Sequence, residues 1–247
     1  MTALSLAQSN FDRHIRQNPY PGRGLVIGQS SDPNIWLIVY WIMGRSTNSR
    51  NRRFVAEGGT LRTEPVDPKK VSDPSLVIYE AMLELPGIWL ASNGDQTCTM
   101  FEFLQKGQTI EAALATRERE PDAPNYTPRI SAVLRADGSF ALGILKASPI
   151  DPAHTDRFYY YPSLPQPGFG FGLTTYSGDG DPLPSFSGDP LLLPLSFTGS
   201  SNAGKSPANQ VLEGYWKALY QDNRVSLAVK QISLSKMSSE LLIRNQY

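Results

Sequence analysis

Cysteine and histidine are scarce: Cys98 is the one cysteine, and His14 and His154 are the two histidines, in 247 residues. A single cysteine excludes an internal disulfide and fits a reducing compartment. So few of these ligands leave no His/Cys zinc cluster, and no spacing supports a Ser/His/Asp triad. Cys98 reads as buried rather than reactive, and both histidines as surface residues. Net charge is also missing, because 23 Lys and Arg balance 23 Asp and Glu. No overall field draws such a chain to nucleic acid or to a membrane surface. The longest apolar run, Ile35–Met43, is too short to span a bilayer. The opening MTALSLAQSNFDRHIRQ has neither a basic stretch nor a long apolar core, so no secretory signal is expected. With no repeat and no low-complexity linker, the reading is one cytoplasmic domain over residues 1–247.

What is present starts with YPGRGLVIGQSSDPNIWLIVYWIMGRSTNSRNRR at 20–53. Two runs rich in Val, Ile, Tyr and Trp, Leu25–Gly28 and Ile35–Met43, flank the polar turn QSSDPN and predict an antiparallel hairpin. Arg23 stands before it, and Arg45, Arg50, Arg52 and Arg53 follow it. A hairpin returns its ends to one edge of the sheet, so these guanidinium groups gather where a loop can close over an anion. A solvated basic turn is the competing reading.

Along the chain, residues 1–19 predict a short amphipathic helix or arm. Thr2, exposed by loss of Met1, is weighed as an N-terminal nucleophile and set aside for its distance from the first strand. Phe54–Val66 reads as one strand, and SLVIYEAMLEL at 75–85 is ambiguous between strand and helix. Residues 87–91 form a short strand closed by the turn Asn93-Gly94-Asp95. Apolar spacing predicts helices at Thr97–Gln105 and Thr109–Arg119, with Thr109 as cap of the second. Strands follow at Ile130–Arg135 and Ser139–Leu145, joined by Asp137-Gly138. From 148 to 200, Pro, Gly and aromatics crowd together, with short strands expected at 157–161, 169–176 and 191–198 and the long loops serving as a lid or interface. A helix at Pro207–Tyr220 and a final strand at Asn223–Ser233 complete an α+β pattern of mostly antiparallel sheets.

Two motifs tempt. Gly199–Ser206 spells G-x-x-x-x-G-K-S, the phosphate-cradling loop. Against it stand Pro194 inside the preceding strand, the lack of βαβ alternation and the absence of a later strand ending in a metal-holding Asp. A Gly/Ser loop before a helix cap is the preferred reading, and a nucleotide-hydrolysing loop the other. Ser177-Gly178-Asp179-Gly180-Asp181 resembles an acidic metal loop without a calcium hand's spacing, and reads as a turn cluster.

Five stretches in order carry a family resemblance: YPGRGLVIG at 20–28, GRSTNSRNRR at 44–53, DPSLVIYEAM at 73–82, SNGDQT at 92–97 and NYTPRISAV at 125–133. Together they resemble the archaeal-type IMP cyclohydrolase family, and GFGLTTYSGDGDPLPSFSGDP at 170–190 looks like its bacterial members. The resemblance implies a four-layer αββα sandwich like that of the N-terminal-nucleophile hydrolases, without their nucleophile. It implies closure of 5-formamidoimidazole-4-carboxamide ribotide to inosine monophosphate with loss of water and without an organic cofactor; no metal is expected, although the scarcity of Cys and His leaves an all-oxygen Mg²⁺ site open. A purine ribotide is then the small-molecule partner, and a homo-oligomer is expected. The family's site arginine falls on Arg50, its tyrosine on Tyr79 and its asparagine on Asn125, although Tyr126 here separates Asn125 from Thr-Pro-Arg. Its acid falls on Asp122 or Glu120. On this reading Arg50 stabilises the oxyanion, Tyr79 donates or relays a proton, Asn125 aligns the carboxamide and Asp122 accepts its proton. Arg23, Asn93 and Arg129 are the candidate substrate-binding residues. The alternatives are a hydrolase or amidohydrolase acting on another nucleotide or amide in this scaffold, and a nucleotide-binding protein without catalysis.

Overall fold

The computed structural model describes residues 1–71, 78–164, 166–197 and 204–247. The predicted hairpin is present as β1 (Gly24–Gln29) and β2 (Ile35–Met43), with Gly24 opposite Trp41 and Gln29 opposite Trp36. Side chains alternate across a strand. Trp36, Ile38, Tyr40 and Ile42 therefore face one apolar cluster, and Leu37, Val39, Trp41 and Met43 face another. A strand buried on both faces must be apolar at every position, which is why its sequence is a continuous run rather than an alternation. Gly24 is required here, because a Cβ would sit 1.8 Å from the Trp41 ring.

The hairpin lies at the centre of a six-stranded antiparallel sheet. On one side stand β10 (Phe169–Thr174) and β11 (Leu191–Pro194), and on the other β12 (Arg224–Ser233) and β13 (Ser238–Asn245), in the order β11-β10-β1-β2-β12-β13. A second sheet of seven antiparallel strands keeps chain order: β3 (Arg53–Glu57), β4 (Thr60–Glu64), β5 (Glu80–Leu85), β6 (Ile88–Ser92), β7 (Arg129–Arg135), β8 (Phe140–Ala147) and β9 (Thr155–Tyr160). Between the sheets, Leu25, Ile38 and Tyr40 pack with Trp89, Ala132 and Ile144. Outside the first sheet, α1 (Ala3–Phe11) and α5 (Pro207–Ala218) bring Phe11, Val211 and Tyr215 onto Val39 and Trp41. Outside the second, α3 (Gln96–Gln105) and α4 (Ile110–Ala115) bring Met100, Leu104 and Ala113 onto Leu90 and Val133. The chain is thus α+β, with two face-to-face antiparallel sheets and helices on their outer faces. No helix among the described residues is long and apolar enough to cross a membrane.

Several expectations need correction. Phe54–Val66 is a hairpin, β3 and β4, turning at Gly58 with φ 57°, a conformation glycine adopts freely. Of the ambiguous 75–85 segment, Glu80–Leu85 is strand, and residues 75–77 lie outside the described residues. The helix expected at Thr109–Arg119 stops at Ala115, where Thr116 turns its hydroxyl back to the Ala113 carbonyl. Arg224–Ser233 is not the last strand, since β13 pairs along its length. The described part of 148–200 supplies β9 to one sheet and β10 and β11 to the other, close to where the short strands are expected. Most of the Gly199–Ser206 motif lies outside the described residues, and its Ser206 caps α5.

Candidate functional site

Antiparallel pairing brings four chain segments to one end of the sandwich: the start of β1, the ends of β2 and β10, and the start of β7. Between them lies a cleft of about 660 Å³, lined by residues from all four. That size suits a small organic ligand.

At its wall Arg23 and Glu120 form a fork-to-fork pair, with Nη1–Oε1 and Nη2–Oε2 both 2.8 Å, and Nη1 also donates to the Asn93 carbonyl at 2.9 Å. Both side chains are buried. Burial works against the Arg23 charge, but the Glu120 carboxylate outweighs it and holds the guanidinium charged well above its ordinary value. Next to this pair, inside the core, the Tyr40 and Tyr79 hydroxyls lie 2.7 Å apart. Burial first, then Tyr79, drives the Tyr40 phenol well up, with Arg23 opposing.

Asp122 closes a turn in the segment before β7. Its Oδ1 accepts from Thr127 N at 2.7 Å, and its Oδ2 from the Thr127 hydroxyl, which also meets the Tyr176 hydroxyl. Asn125 Oδ1 accepts from Leu183 N at 2.9 Å, tying the segment after β10 across the cleft. Among the described residues its Nδ2 has no protein partner. Opposite stand Arg45 and Arg52. Arg45 pairs with Asp179, donates to the Gly180 carbonyl at 3.1 Å and lies over the Tyr20 ring, which stacks on Tyr176. Arg52 is buried and donates to the Ser49 and Met43 carbonyls at 3.0 and 3.2 Å, and among the described residues no carboxylate pairs with it. Asn48 Oδ1, on the same loop, is buried without a partner. A fixed guanidinium lacking an acid at the cleft wall has the chemistry of an anion seat.

Arg23, Asp122 and Asn125 therefore line the cleft, as does Glu120. The expected convergence of Arg50, Tyr79 and Asn125 on one cavity is not formed. Arg50 lies in the one-turn helix α2 (Thr47–Arg50), capped by Ser46. Residues three and four apart share a helix face. Thr47, Arg50 and Asn51 thus turn to a separate depression of about 330 Å³, while Ser46, Ser49 and Arg52 turn to the cleft. Arg50 instead braces the loop, donating to the Gly44 carbonyl at 3.0 Å and to Asn223 Oδ1 at 3.2 Å. Tyr79 is buried behind the wall rather than on it. Asn93 commits its side chain to Pro128 O, Ile130 N and Gln96. Arg129 commits its guanidinium to Asp95, Gln96 and the Glu118 carbonyl. Neither Asn93 nor Arg129 lines the cleft. Arg45, Arg52, Thr127 and Tyr176 do and had no assigned part, although the two arginines stand in a stretch already marked as basic.

Other candidates resolve locally. Cys98 is half-buried, its thiol facing Glu80 Oε2 at 3.4 Å, and burial followed by that carboxylate pushes it up to about 11. The Ser177–Asp181 turn gives Asp179 to Arg45. Among the described residues no three His, Cys, Asp or Glu side chains group as metal ligands.

The sequence model of the family described as IMP cyclohydrolase-like protein matches residues 20–236. The chain belongs to that family. The match takes in every residue that lines the cleft, from Tyr20 to Leu183, and leaves out α1 and β13. An IMP cyclohydrolase of Methanothrix thermoacetophila is 31% identical over 129 residues, which are 51% of this chain and 62% of that protein. The IMP cyclohydrolase-like chain thus spans a little under two thirds of that relative's length.

Proposed function

We propose that the cleft performs the reaction in its relative's name in the dehydrative direction, closing 5-formamidoimidazole-4-carboxamide ribotide to inosine monophosphate. The observation that carries this reading is the meeting, inside the family span, of a carboxylate, a free amide donor and a guanidinium without an acid: Asp122, Asn125 and Arg52. In our reading Arg52 and Arg45 hold the 5′-phosphate. Asn125 Nδ2 aligns the carboxamide against the formyl group. The carboxamide nitrogen is a poor nucleophile, and fixing both groups in attack geometry is worth about 7–11 kcal/mol. As the C–N bond forms, the formyl oxygen gains negative charge, which Arg23, held in plane by Glu120, stabilises. Asp122 takes the nitrogen's proton. It suits the task better than Glu120, whose carboxylate is locked in a buried fork with the Arg23 guanidinium, because the Asp122 carboxylate is bonded to the uncharged groups of Thr127.

Arg50 and Tyr79 act in this account as supports of the loop and of Arg23, and Asn93 and Arg129 as supports of the wall. We also read the helix–sheet–sheet–helix order as that of the N-terminal-nucleophile hydrolases. Thr2 takes no part in chemistry, since its hydroxyl caps α1. The test is conversion of the synthetic formamido ribotide, followed by chromatography, with wild type and Asp122→Asn. Wild type is expected to form inosine monophosphate, and the variant to lose at least about 100-fold in kcat. Release of formate instead would mark a hydrolase, and binding without turnover a non-catalytic protein.

A further inference from the structure

Dehydrative ring closure moves two protons to one oxygen. The carboxamide nitrogen gives up one as the C–N bond forms, and the formamido nitrogen the other as the C=N bond forms and the C–O bond breaks. Both must end on the departing water. Asp122 alone can collect them but has no evident route to hand them on, because its oxygens are bonded to Thr127 N and to the Thr127 hydroxyl.

The hydrogen-bond order around it is fixed by what each group can donate. An ionised carboxylate only accepts, so the Thr127 hydroxyl donates to Asp122. Having spent its one hydrogen, the Thr127 oxygen can only accept from the Tyr176 hydroxyl. The resting chain therefore runs Tyr176 to Thr127 to Asp122. When Asp122 gains a proton it becomes a donor, and each bond in the chain can reverse. The extra proton then emerges at the Tyr176 hydroxyl, at the far end of the chain, on a residue that lines the same cleft. The Tyr176 ring is held for this by stacking on Tyr20 at 5.9 Å and by Tyr176 N donating to the Pro21 carbonyl at 3.2 Å.

We infer that Tyr176, Thr127 and Asp122 form a two-stroke proton relay: Asp122 takes each N–H proton in turn, and Tyr176 delivers it to the formyl oxygen, which leaves as water. This rests on the ring-closure reading above. Each stroke returns the relay to its starting state, so no net proton is gained or lost by the protein. Burial pushes the Tyr176 phenol up to about 12, which keeps it in its donating form through the neutral range. The Thr127 hydroxyl sits between its two relay partners and acts through them, as a positioning residue, and Tyr176 is the group that meets the substrate.

Tyr176→Phe keeps the stacked ring and removes the donor. Thr127→Val keeps the shape and breaks the chain, and Thr127→Ser restores the hydroxyl. Steady-state turnover of the formamido ribotide is measured for each in H₂O and in D₂O, with inosine monophosphate binding followed by thermal shift. Tyr176→Phe and Thr127→Val are expected to lose about 10- to 100-fold in kcat with KM within about 2-fold, and Thr127→Ser to stay within about 3-fold of wild type. The solvent isotope effect on kcat is expected to change in the two broken variants and not in Thr127→Ser. Wild-type kcat in either broken variant, or an equal loss in Thr127→Ser and Thr127→Val, overturns the relay. A wild-type protein that binds inosine monophosphate but never forms it overturns the ring-closure reading instead, and so the two failures are told apart.

Discussion

Glu120 and Asp122 are two positions apart and differ in burial and in the charge of their partners. Both border the cleft, but Glu120 is buried and spends both oxygens on the Arg23 guanidinium, whereas Asp122 is half-buried and bonded to Thr127. Removing one partner of a buried pair strands the other's charge. Glu120→Ala is therefore expected to cost about 3–5 kcal/mol of stability, read as a lower urea midpoint, before any effect on turnover is considered. At this scale the sequence was readable where a residue's neighbours fix its direction. Arg23 immediately precedes a strand, and Asp122 and Asn125 share one tight turn. It was not readable at Arg50 and Arg52. Both belong to one basic run, and only the single turn of α2 sends Arg52 inward and Arg50 outward.

The loop from Gly44 to Arg52 behaves as an element in its own right. Arg50 ties it to Asn223, whose Nδ2 in turn donates to the Pro19 carbonyl at 3.0 Å. Arg50→Ala is expected to raise KM about 3- to 10-fold while leaving kcat within about 2-fold, because it loosens the phosphate seat without touching the reacting groups. A large loss of kcat at unchanged KM would instead return Arg50 to the chemistry. Among elements, the central hairpin was legible because burial on both faces leaves an unmistakable apolar run. β13 was missed because it is an edge strand, SSELLIRN, none of whose residues is fully buried and whose pattern carries little signal. The β3–β4 turn carried its signal, Gly58-Gly59, inside what looked like one strand.

For the molecule as a whole, two ties join the sheets across the sandwich. Asn245 on β13 exchanges hydrogen bonds with the Phe54 backbone on β3, at 3.0 and 3.1 Å. Lys230 on β12 reaches the Gly59 carbonyl and Glu84, at 2.6 and 2.7 Å. Burial acts against the Glu84 charge, but bonds from Lys230 and Ser239 outweigh it and hold the carboxyl below its ordinary value. A depressed carboxyl contributes stability above its unfolded pKa and loses it as pH falls through the folded one. Below about pH 4.5 wild type should lose stability more steeply than Glu84→Gln, as unfolding midpoints across pH would show. Lys230 runs the other way: burial lowers its pKa, a cost present at neutral pH and relieved only in alkali. That mostly antiparallel sheets and separate helices would form was legible from the pattern of runs, whereas the layering came only from the family resemblance. That β12 would enter beside β2, nearly two hundred residues earlier, was not, because long-range pairing leaves no local mark.

That strand order also sets a timetable for synthesis. The seven-stranded sheet pairs neighbours in the chain and is complete once residue 160 has emerged from the ribosome. The six-stranded sheet cannot close until β12 arrives, with β2 holding a bare edge through all the intervening translation. The Gly44–Arg52 loop has its brace in Asn223, just ahead of that strand. A nascent chain therefore carries a finished half for some time before it owns a working pocket, and Ile35–Met43 is the stretch a chaperone would have to shield.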